Sequence, residues 1–257
     1  MKLAASDFDG TLFVEHEIAK ETVEAILSWR QAGHKFGVIT GRDYGMLLPQ
    51  LKFFGVESDF SICNNGAIIF SENGTVLYQA KIQPSILYDL ATHQCLTDSL
   101  HVAFSQAGQT FVYQAKAGSW IVREGRQWNF PVQMIEVEKI SSLRQVQQIS
   151  LGFSQQEQAA QAAAQLNLLF GDKVQACQNR GSVDITPLGI DKSTGIEMLL
   201  QMKQWEQANV YVIGDESNDL SMICKFGGYA MASARDLIQR QAKKSFISVG
   251  SMLREYR

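Results

Sequence analysis

Residues 5–13 read ASDFDGTLF and come directly after a short apolar run at the start of the chain. Asp7 and Asp9 are two residues apart, and Gly10 and Thr11 follow them. Two close carboxylates repel each other, and the pKa of one rises unless a cation or a shared proton offsets the repulsion. A buried strand that ends in such a pair therefore predicts that a cation or a shared proton lies between the two acids.

The chain of 257 residues is 46% hydrophobic and 19% charged, an ordinary composition for a soluble globular protein. A net charge of −3 without a long basic run argues against nucleic-acid binding. No apolar stretch approaches the roughly 20 residues of a membrane span, and the N-terminus MKLAASDFDG is unlike a signal peptide. We expect a cytoplasmic protein with no membrane or nucleic-acid partner. The scattered cysteines lack a CxxC pair and are expected to be buried thiols: Cys63, Cys95, Cys177 and Cys224.

Strand and helix patterns alternate at both ends of the chain, which predicts an α/β fold with a parallel sheet and helices on both faces. An Asn-Gly turn at residues 73–74 predicts a hairpin over residues 67–80. The expected strands are 2–6, 35–40, 60–63, 209–213 and 228–231. The expected helices are 18–32, 42–54 (disturbed by Gly45 and Pro49), 191–203 and 217–225.

The middle of the chain is polar and rich in glutamine. Alanine and leucine recur there at helical spacing, which favours a folded, solvated helix over a low-complexity segment. We expect a strand at 148–153, a helix at 154–167 and a strand at 173–178, with QNRG turning into SVDIT. The sequence therefore predicts an inserted α+β domain at 84–182 between the two parts of a core, 1–83 and 183–257.

Polar residues stand where the expected core strands end, which is where ligands bind in open α/β sheets. They include Thr40 and Gly41 in VITGR and the run GDESND at 214–219. Lys192 in GIDKST begins a helix, where the helix dipole disfavours a positive charge unless an anion is bound nearby. These segments and the paired aspartates form an ordered set of two acids, a threonine, a lysine and further acids.

Each segment alone also has a structural explanation. DFDGT could be a turn, VITGR a strand-to-helix turn, and GDESND an Asx turn with a helix N-cap. DFDGT is not an EF-hand loop, because Leu12 and Ile18 stand where glycine and glutamate are required. GIDKST is not a Walker A loop, because Asp191 stands where glycine precedes the lysine. The ordered combination favours a single chemical site.

With these motifs the chain resembles the haloacid dehalogenase-like superfamily and, within it, the Cof-type phosphatases. The resemblance rests on DFDGT at 7–11, Thr40 in VITGR, Lys192 and GDESND, and also on NNGA at 64–67 and DITPLGIDKSTGI at 184–196. Ser193 departs from the glycine common after the lysine. The resemblance implies a Rossmann-like, doubly wound parallel-sheet core with an inserted α+β cap domain.

The resemblance also implies residue roles. Asp7 is the expected nucleophile and Asp9 the expected general acid and base. Magnesium is the expected cofactor, held by Asp7, the backbone carbonyl of Asp9 and Asp215, with Asp219 orienting a metal-bound water. Phosphate binding is expected from Thr40, Gly41, Lys192 and Asn218.

Mg²⁺-dependent hydrolysis of small phosphorylated metabolites, sugar phosphates among them, is the function that the resemblance implies. Aspartate at position 9 is unlike the threonine of related pumps, and the insertion after Thr40 is unlike the caps of most mutases in the superfamily. A binding or regulatory protein with little turnover, and a phosphotransferase, stay open as alternatives. Signalling receiver domains also combine paired acids with a threonine and a lysine, but they are roughly half this length or less, so the chain length argues against one. Packing or a solvated position explains five further residues better than contact with substrate, so they are not counted as site residues: Trp120, Arg123, Arg126, Trp128 and Arg180.

Overall fold

A computed structural model describes residues 1–205 and 207–257. The described chain forms two compact units. The first contains Met1–Thr40, Gln50–Tyr78 and Asp191–Arg257, and the second contains Gly41–Pro49 and Gln79–Ile190. The strands are β1 (Lys2–Ser6), β2 (Lys35–Ile39), β3 (Phe60–Cys63), β4 (Ile68–Ser71), β5 (Val76–Gln79), β6 (His101–Gln106), β7 (Gln109–Ala115), β8 (Val132–Met134), β9 (Gln148–Gly152), β10 (Val174–Asn179), β11 (Ser182–Pro187), β12 (Asn209–Gly214), β13 (Tyr229–Met231) and β14 (Ser245–Phe246). The helices are α1 (Lys20–Gln31), α2 (Tyr44–Phe53), α3 (Pro84–Thr92), α4 (Trp120–Trp128), α5 (Val137–Ile140), α6 (Gln156–Phe170), α7 (Lys192–Lys203), α8 (Leu220–Phe226), α9 (Asp236–Gln241) and α10 (Val249–Tyr256).

The first unit is built on an eight-stranded sheet in the order β14-β13-β12-β1-β2-β3-β4-β5. The six strands from β14 to β3 are parallel, and β4 is antiparallel to β3. β1 lies between β12 and β2, and the side chains of its last four residues are buried, as expected for a central strand covered on both faces. Its carboxyl end therefore opens at the middle of the sheet edge.

Helices cover both faces of this sheet, as the neighbours of β12 show. Val212 belongs to an apolar cluster with Ile196 of α7 and Met222 of α8. Tyr211, the preceding residue, contacts the rings of Trp29 in α1 and Tyr256 in α10. Because successive strand residues point to opposite faces, α7 and α8 lie on one face and α1 and α10 on the other. The fold is the expected doubly wound α/β arrangement.

The second unit has its own six-stranded sheet in the order β10-β11-β9-β6-β7-β8. Apolar residues of β6, β9 and β11 form one core with α3 and α6. β11 pairs antiparallel with both β9 and β10, so residues 183–190 lie in this unit. The boundary expected at residue 183 is therefore too early, and Asp191 begins the return to the first unit.

Several local expectations need correction. α2 runs through Pro49 without interruption, and α6 extends to Phe170. Residues 217–219 form a short 3-10 turn before α8 instead of its first turn. None of the four cysteines, all of which lie in the described ranges, forms a disulfide. Only Cys63 is buried, whereas Cys177 and Cys224 are exposed, so the expectation of four buried thiols is wrong. Within the described ranges, every helix is too short or too polar to cross a membrane.

Candidate active site

The carboxyl end of β1 delivers Asp7 into a buried ion pair. Its backbone N–H donates to the carbonyl of Ile213, which continues the pairing with β12. The ammonium of Lys192 lies 2.6 Å from Asp7 Oδ1 and 2.6 Å from Asp219 Oδ1. The three side chains are 8% exposed or less. Residues 7, 192 and 219, distant in the sequence, thus form one charged group.

Lys192 is the first residue of α7, and the local sequence explains its position. The Asp191 carboxylate accepts a hydrogen bond from the Thr194 N–H, and the Thr194 hydroxyl accepts one from the Asp191 N–H. This capping box fixes the start of the helix. Burial opposes the lysine's charge, but Asp219 and Asp7 outweigh it and raise the pKa of Lys192. The two carboxylates thereby offset both burial and the unfavourable helix dipole.

Asp215 follows β12 and faces the turn after Asp7. Its Oδ1 accepts a 2.7 Å hydrogen bond from the Thr11 hydroxyl. Gly10 has φ +86°, and a Cβ there would lie 2.4 Å from Asp215 Oδ2. Both the left-handed backbone and the close carboxylate therefore require glycine at position 10. The Asp-Gly-Thr part of the motif shapes the turn around the Asp215 carboxylate.

Three carboxylates meet at this point: Asp7, Asp215 and Asp219 each offer an oxygen within 4.8 Å of the others. Burial first, and then the charges of Asp219 and Asp215, raise the pKa of Asp7 well above its ordinary value, although Lys192 opposes the rise. Such an oxygen-only donor set suits a hard divalent cation such as Mg²⁺. The added positive charge would offset the mutual repulsion of the acids.

Asp219 already uses both of its oxygens. Oδ1 accepts from Lys192, and Oδ2 accepts 3.0 Å hydrogen bonds from the N–H groups of Asp215 and Glu216. Asp219 therefore holds the lysine and the loop that carries Asp215. Asp7 and Asp215 are the better placed of the three to ligate a cation.

Thr40 and Asn218 are linked through a residue to which sequence reasoning assigned no role. Thr40 is buried at the end of β2, and its carbonyl accepts from the Asn65 N–H at 2.9 Å. The Asn65 side chain accepts from Asn218 Nδ2 at 3.0 Å. Asn65 has φ +52°, and a Cβ on Gly66 would lie 2.1 Å from the Asp191 carbonyl. The NNGA segment thus packs against the start of α7, and its Asn-Asn-Gly composition, which tolerates left-handed backbone, was the available signal.

The remaining predicted residues have different surroundings. The Asp9 side chain is exposed, and its carboxylate lies outside the three-acid cluster. Gly41 follows Thr40 in the chain but belongs to the second unit, where its carbonyl accepts from Gln148. The structure therefore groups Asp7, Lys192, Asp215 and Asp219 directly and connects Thr40 with Asn218.

Residues 4–249 match the family model of haloacid dehalogenase-like hydrolases. The chain belongs to this family. HMP-PP phosphatase of Serratia proteamaculans is 24% identical to it over 237 residues, which cover 91% of this chain and 84% of the relative. Pyridoxal phosphate phosphatase YbhA of Escherichia coli is also 24% identical, over 94% of this chain and 91% of that protein.

Solved structures of haloacid dehalogenase-like hydrolases share the fold. A hydrolase of the family from B. subtilis superimposes with a TM-score of 0.88 and 17% identity, over the whole length of both chains. The HAD subclass IIB sugar phosphatase BT4131 gives a TM-score of 0.81 with 20% identity, over 100% of this chain and 99% of that one. At these identities the likeness concerns the fold alone.

Proposed function

We propose that the protein is a Mg²⁺-dependent phosphatase that hydrolyses phosphate monoesters of small metabolites through an aspartyl-phosphate intermediate. The observation that carries the proposal is the buried group of Asp7, Lys192 and Asp219 beside Asp215. A nucleophilic carboxylate must stay ionised, and burial raises its pKa, so a fixed ammonium beside it is needed. Lys192 supplies that charge, and the third N–H of its ammonium, beyond those donated to Asp7 and Asp219, can bind a phosphoryl oxygen.

In the first step an oxygen of Asp7 attacks phosphorus, and the bond between phosphorus and the leaving oxygen breaks. Asp9 gives its proton to that oxygen, so an alcohol departs and the phosphoryl group remains on Asp7. In the second step water attacks phosphorus, Asp9 takes a proton from that water, and the bond between phosphorus and the Asp7 oxygen breaks. This releases phosphate and restores the Asp7 carboxylate and the protonated Asp9. The exposed side chain of Asp9 suits proton exchange with a leaving group and with water.

Asp7 and Asp215 would hold the metal ion, together with the backbone carbonyl of Asp9. When bound, Mg²⁺ would supply positive charge that keeps the carboxylates ionised and balances the phosphoryl charge. Thr40 would add a hydroxyl donor and Gly41 a backbone N–H to the phosphoryl oxygens. Asn218, fixed by Asn65, would present its amide to the same group.

Small phosphorylated metabolites are the proposed substrates. The two relatives compared above are named for HMP-PP and pyridoxal phosphate, and BT4131 is named a sugar phosphatase. A cytoplasmic place of action is part of the proposal. A binding protein with little turnover is the second candidate, since the same buried charges would also hold a phosphate without hydrolysing it.

The test is hydrolysis of an aryl phosphate by wild-type protein with Mg²⁺ and after chelation with EDTA. We expect turnover with Mg²⁺, little turnover with EDTA, and a loss of several orders of magnitude in Asp7→Asn, because the amide cannot act as the nucleophile. Asp59→Asn is the matched control, since Asp59 is also buried and paired with two cations, Arg30 and Lys35, but lies at the opposite end of the strands. The Asp59→Asn variant should be less stable than wild type but keep the wild-type kcat.

Activity that survives Asp7→Asn would contradict the nucleophile assignment. Tight phosphate binding without measurable hydrolysis would favour the binding protein. Labelled phosphate that appears on an added alcohol instead of in water would indicate a phosphotransferase.

A further inference from the structure

Gln148, the first residue of β9, has a buried side-chain amide that donates a hydrogen bond to the backbone at Gly41, the residue after Thr40. The side chain is 1% exposed. Its Nε2 lies 2.8 Å from the carbonyl oxygen of Gly41 and 2.9 Å from the Ser150 hydroxyl. A buried amide that donates to a main-chain carbonyl 107 residues earlier in the chain fixes that carbonyl in one direction.

The orientation of this amide is itself determined. Asp184 Oδ1 accepts from the Ser150 hydroxyl at 2.8 Å and lies 3.3 Å from Gln148 Nε2. The Ser150 hydroxyl gives its only hydrogen to Asp184 and can therefore only accept from Gln148, so the amide must turn its NH₂ group toward Ser150 and Asp184. One hydrogen of this NH₂ group then points to Ser150 and Asp184, and the other is donated to the Gly41 carbonyl. Ser150 and Asp184 thereby lock Gln148 as a donor.

The residues after Gly41 are held within the same unit. The guanidinium of Arg42 pairs with the Glu124 carboxylate at 2.8 Å. The buried Asp43 accepts from the N–H groups of Gly45 at 2.9 Å and Gly108 at 3.1 Å. These contacts stop the segment from following a shift of Gly41, so Gln148 acts on a backbone that is already fixed on its C-terminal side.

We propose that Gln148 is a positioning residue that sets the peptide between Gly41 and Arg42 and thereby the turn that leaves Thr40. The peptide is planar and trans, so a fixed Gly41 carbonyl also fixes the Arg42 N–H, which points the opposite way. Thr40 is held on the other side by the carbonyl of Ile62, which accepts its N–H at 2.9 Å. The proposal rests on the proposed phosphatase function, in which Thr40 and Gly41 bind the phosphoryl group.

The first test compares Gln148→Leu with Gln147→Leu. Gln147 is the matched control because it is the neighbouring buried glutamine, and its amide accepts from the Ala107 N–H and donates to Gln79. Both variants should lose thermal stability. Only Gln148→Leu should lower kcat/KM for an aryl phosphate, by about tenfold, the upper range for one hydrogen bond. Equal losses of activity in the two variants would overturn the proposal.

The second test is a double-mutant cycle with Thr40→Ala. If Gln148 acts through the turn at Thr40, its replacement should cost less than about threefold once the threonine hydroxyl is gone, because the two losses are coupled. Additive losses would show a purely structural role and contradict the proposal. Ser150→Ala, which only loosens the amide, serves if Gln148→Leu does not fold, and we expect a two- to threefold loss that shrinks in the same way.

The cycle is read in kcat/KM and in the affinity for inorganic phosphate measured by calorimetry. A wild-type protein that hydrolyses nothing would contradict the proposed function, and the phosphate affinities would still decide the role of Gln148. Affinities unchanged by Gln148→Leu in an otherwise active enzyme, with unchanged kcat/KM, would reject the positioning role alone.

Discussion

Lys192→Met should lower the free energy of unfolding of the metal-free protein by about 3–5 kcal/mol, the usual cost of removing one partner of a buried ion pair. The upper part of that range applies here, since the ammonium lies 2.6 Å from two carboxylates and the three side chains are almost fully buried. Methionine keeps much of the side-chain volume, so the loss reports charge rather than packing. Urea unfolding followed by circular dichroism measures it.

Lys225→Met is the matched control. Lys225 pairs with Glu197 at the same 2.6 Å, but the two side chains are 43% and 46% exposed. Exposed ion pairs contribute about 0–1 kcal/mol, so this variant should unfold almost like wild type. Because the buried and the exposed ion pairs have the same N–O distance, the difference in unfolding free energy between the two variants measures the effect of burial.

The deficit of Lys192→Met should also depend on pH. Without the ammonium, which opposes the effect of burial and of the neighbouring acids, the pKa of Asp7 in the folded protein rises further. Near neutral pH the folded variant then binds more protons than the unfolded chain, so its stability decreases as pH increases. We expect a larger deficit at pH 8 than at pH 5. A deficit no larger than that of Lys225→Met, or one independent of pH, would refute this account of the site.

Two further predictions concern other parts of the chain. Burial lowers the pKa of His101 to about 4, so between that value and the ordinary value near 6.5 the unfolded chain binds more protons than the folded protein. The free energy of unfolding should therefore fall by about 3 kcal/mol as pH decreases through this window. Urea unfolding of His101→Gln at pH 7 and pH 4.5 should show a correspondingly smaller fall, and a fall as large as that of wild type would contradict the prediction. Gly10→Ala should nearly abolish aryl phosphate hydrolysis, because the added Cβ would displace the Asp215 carboxylate. The control is Gly33→Ala, at φ +80° with nothing within 4 Å of the added Cβ, which should lower the free energy of unfolding by about 1–2 kcal/mol and leave kcat unchanged. Equal activity in the two variants would exclude the steric reason.

Local patterns predicted several elements of the first unit. The strand at 2–6, the helix that begins at Lys192 and the hairpin around Asn73-Gly74 depend on apolar periodicity, capping residues and turn residues a few positions apart. Exposure was predicted less well, as Cys177 and Cys224 show, because it depends on which neighbours cover a residue.

The sequence by itself determined the element order and the set of chemical groups: paired aspartates, a threonine, a lysine at a helix start and further acids, each recognisable from its immediate neighbours. Only the tertiary structure decided which of these groups touch. It paired Lys192 with both Asp7 and Asp219, reserved the oxygens of Asp219 for the lysine and the loop, introduced Asn65 between Thr40 and Asn218, and set Gln148 on the Gly41 carbonyl. Except for the bonds of Asp219 to its own loop and the backbone bond of Asn65, these contacts join residues that are 27 to 185 positions apart in the sequence. They therefore follow from sheet order and strand direction, which no local pattern encodes.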